Sequence, residues 1–290
     1  MPAAGGLATV AGVAALCGTG PLDILLTNDD GVGAAGIQAL RAQLGAAGHR
    51  VTVAAPDHNA SGSAMSFTWG SVRVTRDPAD PSVYSIAATP ATAVVLAATA
   101  LYPTGRRPDL VVSGINHGPN TGSLLVLSGT VGGALAGTLL LDPPVPGIAV
   151  NAEPLDATQP TDAPTNRAQF EAVGAHLAKL IGATRGWFCE GDRVTRARTV
   201  LNVNYPARPV AQSAGTVVAR QGSATDLHVV FTPSGENEYR AQVSRSDPPA
   251  ERDSEDHWLE RGYVTVTPVS GAIDDRGAPQ RELERRLGRP

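Results

Sequence analysis

Short apolar runs alternate with amphipathic or small-residue stretches through the first half of the chain. Leu22 to Thr27 (LDILLT) is a mostly apolar run ending in Asn28-Asp29-Asp30-Gly31, the pattern of a buried strand followed by a turn. Ile37, Leu40 and Leu44 then recur at i, i+3 and i+7 on one helical face, with Gly45 and Gly48 near the stop. His49 to Ala55 (HRVTVAA) reads as a second strand, broken by Pro56. After Pro90, Ala91 to Leu101 is an Ala/Val/Leu stretch suited to a helix packed closely on a sheet. Asp109 to Ser113 (DLVVS) and Gly147 to Asn151 (GIAVN) read as buried strands, and Gly129 to Leu141 between them as a buried helix. This alternation predicts an α/β, Rossmann-like fold: a mostly parallel sheet with helices on both faces. Such sheets place their ligands beyond the carboxyl ends of the strands.

The pattern changes in the second half. Leu155 to Thr165 is rich in Pro, Thr and Asp and reads as a surface loop or linker. Phe170, Val173, Leu177 and Leu180 mark an amphipathic helix. Beyond Val200 to Asn204, the runs Thr216 to Arg220, Leu227 to Thr232, Tyr239 to Ser244 and Tyr263 to Val269 read as antiparallel strands. Ser246 to Asp256 reads as a long charged loop, and Arg281 to Arg289 as a solvated basic helix end. The predicted division is a disordered leader over 1–20, a catalytic core over 21–205, and a C-terminal β-rich extension with its tail over 206–290. The leader's apolar segment, Leu7 to Cys17, is too short to span a bilayer, and it lacks the basic start of a signal peptide because Arg41 is the first cation.

Composition narrows the choices. A formal net charge of -4 over 290 residues excludes a broadly basic face for a nucleic-acid duplex. Gly 32 and Pro 23 follow no period, which excludes a collagen-like or repeat protein. Two cysteines, Cys17 and Cys189, cannot build a thiolate zinc site; the expectation is two ordinary thiols, with one bridge as the alternative in an exported chain. Lys179 is the sole lysine and sits in a helical pattern away from every polar cluster.

Those clusters fall at predicted strand ends. Asp29 and Asp30 are adjacent carboxylates at the end of a buried strand, where they repel unless a cation neutralises them. The competing reading has Asp29 capping the next helix and Asp30 facing solvent. PDHNASGS (Pro56 to Ser63) and SGINHGPN (Ser113 to Asn120) add hydroxyls and amides. Oxygen ligands without thiolates or a histidine pair suit Mg²⁺, Mn²⁺ or Ca²⁺. Ser128-Gly129-Thr130, before a predicted helix, offers hydroxyls and backbone N–H groups to an anion. A hard cation beside an anion-binding helix start points to phosphoryl transfer or phosphate-ester hydrolysis.

In order along the chain, LLTNDDGVGAAGIQAL, APDHNASGSAMSFT, SGINHGPNTG, LSGTVGGALAG, LNVNYP and GYVTVTPV resemble the SurE-type (survival protein E) metal-dependent 5'/3'-nucleotidases, over about Leu22 to Val269. The resemblance implies a Rossmann-like core, a C-terminal extension that helps form a homodimer or homotetramer, and one divalent metal, Mg²⁺ or Mn²⁺, with Ca²⁺ able to take its place in crystals. It implies hydrolysis of nucleoside 5'- or 3'-monophosphates, often with broad acid-phosphatase behaviour. Carried over by position, the metal ligands are Asp29, Asp30, Ser61 and Asn116. Asn28 stands beside them, and Asn120, Ser128, Gly129 and Thr130 match positions lining the phosphate pocket. Either Asp29 or Asp30 orients or deprotonates the attacking water, and direct attack by a carboxylate stays open.

The chain also departs from the family pattern. His58 and Ala60 stand where basic residues are common; His58 substitutes when protonated, and His117 inside SGINHGPN is a second candidate to meet substrate. ATPATA (Ala88 to Ala93) replaces GTPADC, Ala136 stands where many members carry Glu, and Glu255 replaces an expected Asp. A haloacid-dehalogenase-like phosphatase would need Asp-x-Asp and a distant lysine, which the Asp29-Asp30 pair and Lys179 do not supply. The alternative to the hydrolase is a catalytically weak nucleotide- or phosphate-binding protein, although no GxGxxG follows the first strand. No membrane partner is expected, and the cytoplasm is the expected location, with an exported form as the alternative.

Overall fold

The computed structural model describes residues 13–103, 105–222, 226–246 and 250–271. In chain order its strands are β1 (Asp23–Thr27), β2 (Arg50–Pro56), β3 (Val74–Arg76), β4 (Val83–Ile86), β5 (Leu110–His117) and β6 (Gly147–Ala152). There follow β7 (Cys189–Glu190), β8 (Arg193–Val194), β9 (Val200–Tyr205), β10 (Thr216–Val218), β11 (Asp226–Gly235), β12 (Glu238–Ser246) and β13 (Val264–Val269). The α-helices are α1 (Val13–Cys17), α2 (Ala35–Ala46), α3 (Pro90–Leu96), α4 (Gly129–Leu139), α5 (Pro164–Thr184) and α6 (Glu255–Glu260).

Nine strands form one sheet in the order β10-β13-β9-β6-β5-β1-β2-β4-β3. All neighbours are parallel except β3 with β4 and β13 with β9. Period-two alternation decides the faces. Ile24 and Leu26 pack with Ile37, Leu40 and Leu44 of α2 and Phe170, Val173 and Leu177 of α5. Leu25 points the other way, onto Ala91 and Val94 of α3 and Ala136 of α4. Truncating such a fully buried leucine, Leu40→Ala for example, costs roughly 2–5 kcal/mol. The chain leaves β1 for β2 on one side and crosses back to β5 on the other. That reversal is the switch point beyond which open parallel sheets bind ligands.

The α/β architecture agrees with the sequence, and three expectations are corrected. First, β10 runs parallel to β13, because the chain returns through a long crossover rather than a tight turn; β11 with β12 and β13 with β9 are antiparallel. A boundary at 205/206 therefore does not separate the sheet, since β10 and β13 complete it. Second, the charged loop ends early: Ser254 Oγ accepts the His257 N–H at 3.2 Å and starts α6 at Glu255. Third, residues 13–20 are not a disordered leader. Leu16 is buried, and the Arg185 guanidinium donates to Leu16 O (2.9 Å), Gly20 O (2.8 Å) and Ala15 O. Cys17 is disulfide-bonded to Cys189, so the two cysteines are not free thiols. Residues 1–12 of the expected leader and the basic tail at 281–289 lie outside the described residues.

Candidate metal and phosphate site

Three loops meet at the carboxyl ends of β1, β2 and β5. The NDDG turn follows β1, and Gly31 takes φ +105 there, a left-handed conformation natural to glycine. The Ser61 loop is drawn against it by the Ala60 N–H, which donates to Asp29 O at 2.7 Å. Within that loop, Asn59 Oδ1 accepts the Ser61 N–H at 2.9 Å. At the end of β5 the register with β6 shifts between Ser113 and Asn116. Gly114 occupies this shift with φ +139, where a Cβ would stand 2.3 Å from Val150 O.

The two aspartates have different surroundings. Asp29 is buried against the start of α4: Thr130 Oγ1 donates to its Oδ1 at 2.6 Å, and the Gly129 and Thr130 N–H groups also bond to it. Burial raises its pKa against these bonds. Neither aspartate caps α2, whose N-cap is Ala34 with no side-chain cap. Asp30 lines a cavity of about 560 Å³ with Asn59, Ser61, Asn116 and His117, a size typical of small-molecule sites. Its carboxyl is pushed up to about 7, first by burial and then by the charge on Asp29, while the His117 N–H pulls it down.

This donor set fits a hard cation. No arginine or lysine ion pair reaches Asp29 or Asp30 among the described residues, so their mutual repulsion has no protein partner. Asn116 Nδ2 is tied to Gly118 O at 3.0 Å, leaving Oδ1 as its free acceptor. Among the described residues no three His, Cys, Asp or Glu side chains group as metal ligands; the oxygens that could hold a cation here are carboxylate, hydroxyl and amide ones.

The remaining expected residues fall in different places. Asn28 is fully buried, its Nδ2 donating to Gly31 O at 2.9 Å and its Oδ1 without a partner. Ser128 caps α4, its Oγ accepting the Val131 N–H at 3.1 Å. The helix start expected to meet phosphate is thus engaged by the Asp29 carboxylate. A Cβ at Gly129 would stand 2.8 Å from Asp29 Oδ2, so the glycine permits this approach. Asn120 is buried, and its Nδ2 donates to Asn151 Oδ1 at 2.6 Å. His58 faces solvent and bonds to Asp57 Oδ1 at 2.6 Å. His117 lies on the cavity wall, and burial lowers its pKa.

Sequence reasoning missed the lattice behind the site. Asn151, Asn202 and Asn204 are fully buried in β6 and β9, linked to one another and to Asn120, and Glu255 joins them. The signal was present as asparagines at alternate positions of LNVNY, polar residues on one face of a strand otherwise fit for burial. Thr161 and Asp162, from the Pro/Thr/Asp-rich loop, complete the cavity wall.

The family model described as survival protein SurE matches residues 24–226. A 5'-nucleotidase SurE from Rubrobacter xylanophilus is 36% identical over 269 residues, covering 90% of this chain and 96% of that relative. A 5'/3'-nucleotidase SurE from Yersinia enterocolitica is 32% identical over 265 residues, covering 89% and 94%. The crystal structure of the SurE protein from Aquifex aeolicus superposes with a TM-score of 0.72 at 30% identity, covering 91% of this chain and 99% of that one.

Proposed function

This chain belongs to the SurE family, and from that premise we propose that it is a divalent-metal-dependent phosphomonoesterase hydrolysing nucleoside 5'- or 3'-monophosphates. The observation that carries the reading is Asp30, repelled by buried Asp29 and without a basic partner among the described residues, lining with Ser61 and Asn116 a cavity large enough for a nucleotide. Asp30, Ser61 and Asn116 would hold Mg²⁺ or Mn²⁺ from the cavity side, with Asp29 behind. The cation supplies polarisation of the phosphate and a lowered pKa for an attacking water.

The protein's own groups do the rest. Asp29 is held fixed by α4, which gives it two N–H groups and a hydroxyl that oppose the rise in its pKa from burial. Asp30, on the cavity wall, orients the water and takes its proton. Asn120 has one amide hydrogen committed to Asn151 and one left for a phosphate oxygen. His117 is neutral at physiological pH and serves as a hydrogen-bonding partner for the substrate rather than as a cation.

Two further properties belong to the proposal. Val229, Val230, Phe231 and Tyr239 are exposed on the β11–β12 hairpin, which supports a homodimer or homotetramer assembled through it. The Cys17–Cys189 bridge supports export to an oxidising compartment over the cytoplasmic expectation. Among the described residues no helix is long and apolar enough to cross a membrane.

The test is phosphate release from a panel of nucleoside monophosphates with Mn²⁺ or with chelator. Release that chelator abolishes supports the reading. Chelator-insensitive release contradicts the metal mechanism, and no release from any substrate favours a binding protein.

A further inference from the structure

We propose that Gln221 and Glu255, at the foot of the β11–β12 hairpin, are positioning residues that hold the 118–122 loop in its substrate-binding place. The inference rests on the phosphate-site reading above. This loop connects the Asn116 end of β5 to the segment before α4 and carries Asn120. Gly118 and Gly122 both take positive φ, so the loop has little conformational preference of its own and its partners fix it.

Those partners come from two sides. From the sheet, Asn204 Oδ1 accepts the Asn120 N–H at 2.8 Å and Asn202 Nδ2 donates to Asn120 O at 2.8 Å. From the hairpin foot, Glu255 Oε2 accepts the Gly122 N–H at 3.1 Å, and Gln221 Nε2 donates to Gly122 O at 2.8 Å. Thr121 Oγ1 adds a bond to Asp256 Oδ1 at 2.7 Å. The Gly122 N–H and C=O are therefore both held by residues more than ninety positions away.

Glu255 also joins the two sides. Its Oε1 accepts from Asn202 Nδ2 at 3.2 Å, so one oxygen holds the loop and the other holds the sheet. The side chain is fully buried. A buried carboxylate is costly to desolvate and a poor source of net stability. What it provides is two acceptors in fixed places, which specify one position of the loop. The foot itself is stiff. The Arg220 N–H donates to Asp253 O and the Glu255 N–H to Arg220 O, both at 3.1 Å, tying together the strands of chain that enter and leave the hairpin. The hairpin foot and the substrate loop thus form one connected unit.

Gln221→Ala and Glu255→Gln test this. Gln keeps one acceptor and turns an N–H₂ toward the other donor, so it breaks the span without emptying the space. With Mn²⁺ and a nucleoside monophosphate, each variant is expected to raise KM about tenfold with kcat within about twofold, the size of one buried hydrogen bond. Without substrate, hydrogen exchange at the Asn120 and Gly122 amides should quicken at least about tenfold, with β6 and β9 protected as in the wild type. Unchanged KM and unchanged loop exchange in both variants would overturn the proposal, as would loss of protection across the whole sheet. If Glu255→Gln does not fold, exposed Gln221→Ala decides alone. If the wild type releases no phosphate, the phosphomonoesterase reading falls, and loop exchange by itself decides the clamp.

Discussion

Replacing Asp30 with Asn isolates the cost of placing two carboxylates in one buried corner. The Asp30 carboxyl is pushed from 3.8 up to about 7 by burial and by Asp29. A folded-state pKa above the unfolded one means the native protein binds the proton more tightly between about pH 4 and pH 7. Stability of the metal-free protein therefore falls as pH rises through that window. The distance from 3.8 to about 7 corresponds to at most ~4 kcal/mol by pH 8, at ~1.4 kcal/mol per unit. Asp30→Asn removes the charge and the shift together. In chelator at pH 8 the variant should be about 2–4 kcal/mol more stable than the wild type, roughly 5–10 °C in melting temperature for a chain of this size. Near pH 4 the two should melt together. Mn²⁺ should then raise the melting temperature of the wild type and leave the variant nearly unchanged. Thermal melts across pH, with chelator or Mn²⁺, measure all of this. Equal stability at pH 8 in chelator, or the same Mn²⁺ shift in both proteins, would refute the reasoning.

Other substitutions probe the surroundings of that pair. In Gly129→Ala the new methyl stands 2.6 Å from Ser63 Oγ and 2.8 Å from Asp29 Cβ; kcat/KM should fall about a hundredfold as Asp29 shifts, while the melt moves by no more than ~1–3 kcal/mol. Cys17→Ser, or reduction, opens the bridge that spans 172 residues; calorimetry should show a loss of about 2–4 kcal/mol with kcat unchanged, since the bridge is on α1 and β7 rather than at the strand ends. The double variant Phe231→Asp, Tyr239→Asp should shift the particle mass toward monomer in light scattering, and an unchanged mass would remove the hairpin from the assembly.

Much of the sheet was legible because its central strands are short apolar runs bounded by turn residues. LDILLT, DLVVS and GIAVN each read correctly, and the helical spacing of Ile37, Leu40 and Leu44 matched one buried face. The edges were harder. Val74–Arg76 and Val83–Ile86 are too short to show a period, and the parallel pairing of β10 depends on a crossover that no local pattern announces. The bridge between Cys17 and Cys189 stood only as the alternative to two thiols, since only the folded chain brings α1 beside β7. In the site, Asp30, Ser61, Asn116 and His117 came from turn motifs and were readable one by one, whereas Thr161 and Asp162 were not. Nor was the division of labour within the site. Only the fold shows that Thr130 and the start of α4 serve Asp29, and that Asn120 belongs to a buried asparagine lattice closed by Glu255.

Asp29, Asp30, Ser61 and Asn116 are proposed to form one cation site. Crystals soaked in Mn²⁺ and measured near the manganese edge test it most directly. A single anomalous peak is expected within coordination distance of Asp30 and Asn116 oxygens, at about 2.0–2.6 Å for a hard divalent ion, with no such peak in Asp30→Asn. A peak elsewhere in the protein, or none at the Asp29-Asp30 turn, would contradict it.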